Sequence, residues 1–126
     1  MLRIRVINPS KGIGLSTFGL IDTGADECAL PARMASLLGY DLTSGARKEM
    51  RTGNGMTVAY SHHCKIEILS TDKVESGEPA IEYTIPHAPV DFMPNLHVAL
   101  LGVGSFLNRF VLTVDYPNRT FSIRSP

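Results

Sequence analysis

The chain is short of cysteine, of net charge and of long apolar runs, and each shortage removes a class of protein. Cys28 and Cys64 are its only two cysteines. That is too few for a disulfide scaffold, and in a reducing compartment they read as free thiols, with a single bridge left open. Lys plus Arg and Asp plus Glu number 12 each. Without a basic excess, neither nucleic acid nor an anionic membrane is expected as a partner. No apolar run reaches the length of a bilayer span. The first residues, Met1-Leu2-Arg3-Ile4-Arg5-Val6-Ile7, alternate and form no apolar block, so they read as a strand and not as a signal peptide. The cytoplasm follows as the default location. His62-His63-Cys64, His87 and His97 lack the paired spacing of a zinc site, and neighbours in a strand point to opposite faces. Gly12-Ile13-Gly14 has no Lys-Ser/Thr ending of the phosphate-binding kind. No metal and no cofactor are expected. Cys28 has no visible histidine partner and reads as a small buried residue.

Apolar residues make up 44% and charged residues 19%, a balance that favours a folded core over disorder. The length suits one domain spanning residues 1–126. Residues 2–7 alternate as a first strand, Asn8 to Gly12 is turn material, and 13–21 return as a second strand. Pro31 suits the first position of a short helix with Met34, Leu37 and Leu38 on one face and Gly39 beyond its end. Residues 47–61 form a hairpin around Gly53-Asn54-Gly55. Residues 64–69 and 81–85 alternate as further strands, with 70–79 a surface loop between them. Pro86 to Pro94 reads as an irregular connection. Residues 105–109 suit a helical stretch capped by Ser105, and 110–114 with 120–123 a last hairpin. Phe106 and Phe110 at helical spacing read as core. Many short strands and little helix predict an all-β, barrel-like domain.

The most informative residues are Asp22-Thr23-Gly24-Ala25, entered from the apolar run Phe18-Gly19-Leu20-Ile21. A carboxylate at the end of a buried strand, followed by a hydroxyl and a glycine, places an acid in a tight loop where backbone approaches a substrate closely. On its own the triplet reads first as an ordinary turn. Leu100-Leu101-Gly102 follows far downstream. Together the two motifs resemble the signatures of the retroviral-type (retropepsin-like) aspartic proteases. The order of elements fits the whole chain, and the two motifs fit closely.

The resemblance implies a small closed acid-protease barrel. It carries Asp22 over as catalytic within the loop Asp22, Thr23 and Gly24, and Ala25 and Asp26 as residues near the substrate backbone. The Gly53-Asn54-Gly55 tip falls where such proteases place a flap over bound peptide; without the resemblance it reads as an exposed turn. Peptide hydrolysis by carboxylates needs two, one to activate water and one to donate to the scissile carbonyl. Two such groups a few ångströms apart share one proton and titrate as a pair. The chain holds no second Asp-Thr-Gly or Asp-Ser-Gly, and Asp91 and Asp115 lie in other settings. A two-fold homodimer would bring two copies of Asp22 together, with Thr23 tying the loops, and would act on a peptide or protein substrate. The Arg that often follows the later glycine in retroviral enzymes is Val103 here. A second reading therefore stands beside the endopeptidase: a non-catalytic module of the same fold that binds extended peptides or partner strands.

Overall fold

The computed structural model describes residues 1–53 and 55–126. The chain begins with β1 (Leu2–Asn8), turns at Gly12, and returns antiparallel as β2 (Ile13–Ile21). The alternation seen in the sequence sets the faces: Ile4 and Val6 point into the core, while Arg3 stays exposed. After the Asp22 loop come β3 (Cys28–Pro31) and a five-residue helix α1 (Arg33–Leu37), ended by Gly39 at φ +80°. The hairpin β4 (Ala46–Thr52) and β5 (Gly55–Glu75) follows, then β6 (Glu78–Met93), β7 (Ala99–Leu101), and the hairpin β8 (Val111–Asp115) and β9 (Thr120–Arg124).

The strand order β1-β2-β7-β3-β6-β5-β4, with β1 also paired to β5, closes the sheet into a near-ring and leaves β4 outside it. β2–β7 and β3–β6 are parallel, and the other pairings in this sheet are antiparallel. Ile4, Val6, Leu30, Ile66, Ile85, Val90, Phe92, Leu101 and Phe106 fill the interior, all nearly inaccessible. The all-β, barrel-like expectation is met. Among the described residues no helix is long and apolar enough to cross a membrane.

Four local expectations are corrected. Pro31 does not open the helix. It ends β3 opposite Met93, a strand position where its missing N–H is tolerated. Residues 70–79 are not a loop, because β5 runs on to Glu75 and meets β6 through a two-residue turn, Ser76 (φ 52°) and Gly77 (φ 81°). Pro86 to Met93 is β6 and not an irregular connection. The register slips between Cys64/Ala88 and Ile66/Ile85, so Pro86 and His87 sit in a bulge. Helical structure near 105–109 shrinks to one turn, Leu107–Arg109, and Ser105 does not cap it.

His62 and His63 do diverge. The His62 ring packs with Tyr40 and Phe92 and its Nε2 lies 2.9 Å from the Leu42 carbonyl, whereas His63 stacks on His87 with ring centres 4.3 Å apart. Among the described residues no three His, Cys, Asp or Glu side chains gather as a metal site.

Candidate active site

The Asp22 loop is built by two chain segments that zip together. β2 and β7 run parallel, with Leu20 opposite Leu100 and Ile21 opposite Leu101. The Asp22 N–H continues this ladder by donating to the Leu101 carbonyl at 3.1 Å. Beyond it, Val103 N–H donates to the Ala25 carbonyl (2.8 Å) and Gly104 N–H to the Asp26 carbonyl (2.6 Å). The Ser105 hydroxyl, buried to 1% exposure, accepts from the Cys28 N–H at 2.7 Å. These four bonds, with contacts of the Cys28 thiol besides, bind the segment 22–28 to the segment 101–105. The Leu-Leu-Gly motif is the other half of the Asp-Thr-Gly loop.

Gly102 explains why a glycine is needed there. A Cβ at this position would lie 2.3 Å from the Glu27 carbonyl oxygen and 2.8 Å from that of Ala25. The neighbours are backbone, so the two strands of chain approach each other only across a residue without a side chain.

Within the loop, Asp22 is half-buried and its Oδ1 accepts the Gly24 N–H at 3.0 Å. Ala25 N–H donates to the Asp22 carbonyl at 3.2 Å, closing a tight turn. This fixes the carboxylate by its own backbone. Thr23, Gly24 and Asp26 are exposed, and Ala25 is half-buried. Among the described residues no hydrogen bond joins the Asp22 carboxylate to a second carboxyl group. The same loop turn that presents Asp22 leaves Thr23 on the surface. A cavity of about 270 Å³ begins there, lined by Met1, Leu20, Ile21, Thr23, Val114 and Tyr116 among others. Leu20, Val114 and Tyr116 are 43%, 47% and 84% exposed, so the Asp22 loop borders an apolar surface continuous with the β8–β9 hairpin.

Of the hairpin tip, Gly53 and Gly55 are exposed, and Thr52 pairs with Gly55 across the turn. Gly55 sits at φ +109°, a conformation that L side chains rarely adopt. Asn54 lies outside the described residues.

The sequence reading missed Ser105 as a loop-binding residue, because a serine before a helical stretch reads first as a cap. It also gave no partner to the thiols. Burial pushes the Cys28 thiol up, against hydrogen bonds with Ser105 and Gly102. Burial likewise pushes Cys64 up to about 11, opposed by its hydrogen bond with Tyr40. The Tyr40 hydroxyl donates to the His63 carbonyl at 2.6 Å and lies 3.2 Å from Cys64 Sγ. Both cysteines are unpaired and buried, and neither thiol is poised as a nucleophile.

A closed small barrel that presents one acid from two interlocked loops, with a glycine at their crossing, is the architecture of an acid protease protomer. The model of the aspartyl protease family matches residues 14–103, and the chain belongs to that family. Among solved structures it is similar to a retropepsin-like aspartic protease from Rickettsia conorii. The two are 23% identical with a TM-score of 0.61, over 90% of this chain and 82% of that one. At that identity the likeness is one of fold. Comparison with curated proteins finds no match.

Proposed function

We propose that the protein is an aspartic endopeptidase that acts as a homodimer, each copy supplying one Asp22. The observation that carries this reading is a half-buried Asp22, locked by four inter-segment bonds, beside an exposed apolar surface that starts at Thr23. One carboxylate is half of the machinery. Packing Leu20, Thr23, Val114 and Tyr116 against the same surface of a second copy would cover the apolar patch and bring the second carboxylate to the first. One Asp22, ionised, would take a proton from water as it attacks the peptide carbonyl. The other, protonated, would donate to the carbonyl oxygen, and the proton the pair holds would then pass to the leaving amine. Gly24, Ala25 and Asp26 would meet the peptide backbone, and Gly53, Asn54 and Gly55 would close over it. The two unpaired thiols support a reducing compartment, the cytoplasm.

Asp22→Asn keeps the side-chain shape but cannot share a proton, so it should abolish cleavage of a mixed peptide library and leave the circular dichroism spectrum unchanged. Wild-type activity should also rise faster than linearly with protein concentration near the dimer dissociation constant. Full cleavage by the Asn variant, or undiminished specific activity in a strictly monomeric sample, overturns the assignment. Peptide binding without cleavage by the wild type would instead identify a non-catalytic peptide-binding module.

A further inference from the structure

A carboxylate away from the Asp22 loop lies buried in the barrel wall. Asp91, on β6, is 2% exposed, and its Oδ1 lies 3.0 Å from Lys48 Nζ on β4. The pair does not have the geometry of a hydrogen bond, but opposite charges at this distance attract whatever their alignment. Among the described residues this is the only ion pair that joins β4 to another strand; Arg47–Glu49 lies within β4, and Arg5 on β1 and Lys65 on β5 both pair with Glu67, far along β5 from the hairpin tip.

The register explains how the pair spans the sheet. Ser61 on β5 is opposite both Ala46 on β4 and Asp91 on β6, and Lys48 is opposite Ala59. Directly paired residues share a face, so Lys48, Ala59, Ser61 and Asp91 lie on one side of the sheet. β4 and β6 are two strand spacings apart, about 10 Å. A lysine crosses that distance where the intervening side chains are small, as Ala59 and Ser61 are. The same face continues from Asp91 to Ala29, to Leu100 and to Leu20, two residues before Asp22. Beyond the last β5–β6 rung near the hairpin, Tyr60 opposite Phe92, the β4–β5 hairpin projects with no other strand beside it among the described residues. The ion pair therefore sits at the root of the projecting hairpin, on the face that carries the Asp22 loop.

We propose that Asp91 is a positioning residue: through Lys48 it sets the angle at which the hairpin leaves the barrel wall, and with it, on the endopeptidase reading, how the hairpin is presented to substrate. A buried carboxylate deprived of its cation is costly, so β4 cannot swing away at Lys48 without stranding the charge. The hairpin then bends beyond residue 48 and not at its junction with the barrel. The catalytic consequence rests on the endopeptidase reading; the mechanical one does not.

The test is hydrogen exchange by mass spectrometry on wild type, Lys48→Met and the double variant Lys48→Met/Asp91→Asn. Met keeps the long stem and loses the charge; the double variant leaves no buried charge behind. Exchange of peptides covering residues 49–58 should quicken about tenfold in both variants, equivalent to about 1.4 kcal/mol, while peptides from β1 and β2 stay as in wild type. In wild type that cleaves peptide, Lys48→Met should raise KM and leave kcat little changed, because the hairpin holds substrate and does no chemistry. Unchanged exchange at 49–58, a rise spread equally over β1 and β2, or wild-type protection restored in the double variant overturns the proposal. A wild type without peptidase activity overturns the endopeptidase reading alone, and the exchange arm still decides the role of the pair.

Discussion

Replacing Gly102 by alanine adds one methyl group where the molecule has least room for it. The new Cβ would sit 2.3 Å from the Glu27 carbonyl oxygen and 2.5 Å from its carbon. Ordinary contact needs roughly 1 Å more. Both neighbours are backbone, so the segments themselves must part. They are held by Val103 to Ala25 at 2.8 Å and Gly104 to Asp26 at 2.6 Å. A displacement of about 1 Å takes both beyond hydrogen-bond range. Two such bonds contribute about 1 kcal/mol each, and forced overpacking costs about 1–3 kcal/mol. The expected loss is therefore about 3–5 kcal/mol, a large part of the stability of a domain this size. For a chain of this length that lowers the Tm by roughly 10–20 °C. Thermal unfolding followed by circular dichroism measures it, with Gly53→Ala as the control, since a Cβ there meets nothing within 4 Å. The displaced loop carries Asp22, so any peptidase activity should fall with stability. A Gly102→Ala protein melting within about 3 °C of wild type would refute the claim that the two segments depend on that contact.

Two further outcomes follow from the thiols and the hairpin tip. The folded Cys64 is raised from 9.0 to about 11, so the folded state holds this proton more tightly than the unfolded chain. Stability from this group is complete below about pH 9 and is lost as pH rises through about 11, by about 2–3 kcal/mol. Denaturant midpoints at pH 8 and pH 11 should fall further in wild type than in Cys64→Ala, and equal falls would contradict the assignment. At the tip, Gly55→Val forces a β-branched residue to φ +109° and should cost about 1–3 kcal/mol, whereas Gly53→Val should melt within about 2 °C of wild type. Equal losses at the two positions would show that the backbone conformation of Gly55 is not the cause.

The elements that the sequence made legible are those with a local signal. The alternation of Leu2, Ile4 and Val6, the glycine after Leu38 and the pairing of Thr52 with Gly55 each fix their structure within a few residues. The errors arose where a distant partner decides the outcome. Pro31 and Pro86 are breakers by propensity, yet a parallel neighbour and a bulge accommodate them within strands. Ser105 reads as a helix cap until Cys28 arrives to donate to it. The Asp22 loop and Leu100-Leu101-Gly102 were recognisable as two motifs. That Asp22 bonds to Leu101, and Ala25 and Asp26 to the Val103 and Gly104 just beyond, is a property of the barrel and of no short window. Lys48 and Asp91 carry no sequence signal as a pair, because their meeting depends on Ser61 being shared by two neighbouring strands.

The zipping of residues 22–28 onto 101–105 also has a consequence for the order of events during synthesis. The Asp22 turn lacks its bonding partners until the chain has been made past residue 105, and closing so long an intervening stretch costs entropy before any contact repays it. While the ribosome is still adding the middle of the barrel, the turn that carries Asp22 has nothing to pin it to the barrel. The acid takes its fixed position only once residues 101–105 have been made, so a chain cut short of them cannot carry an assembled site.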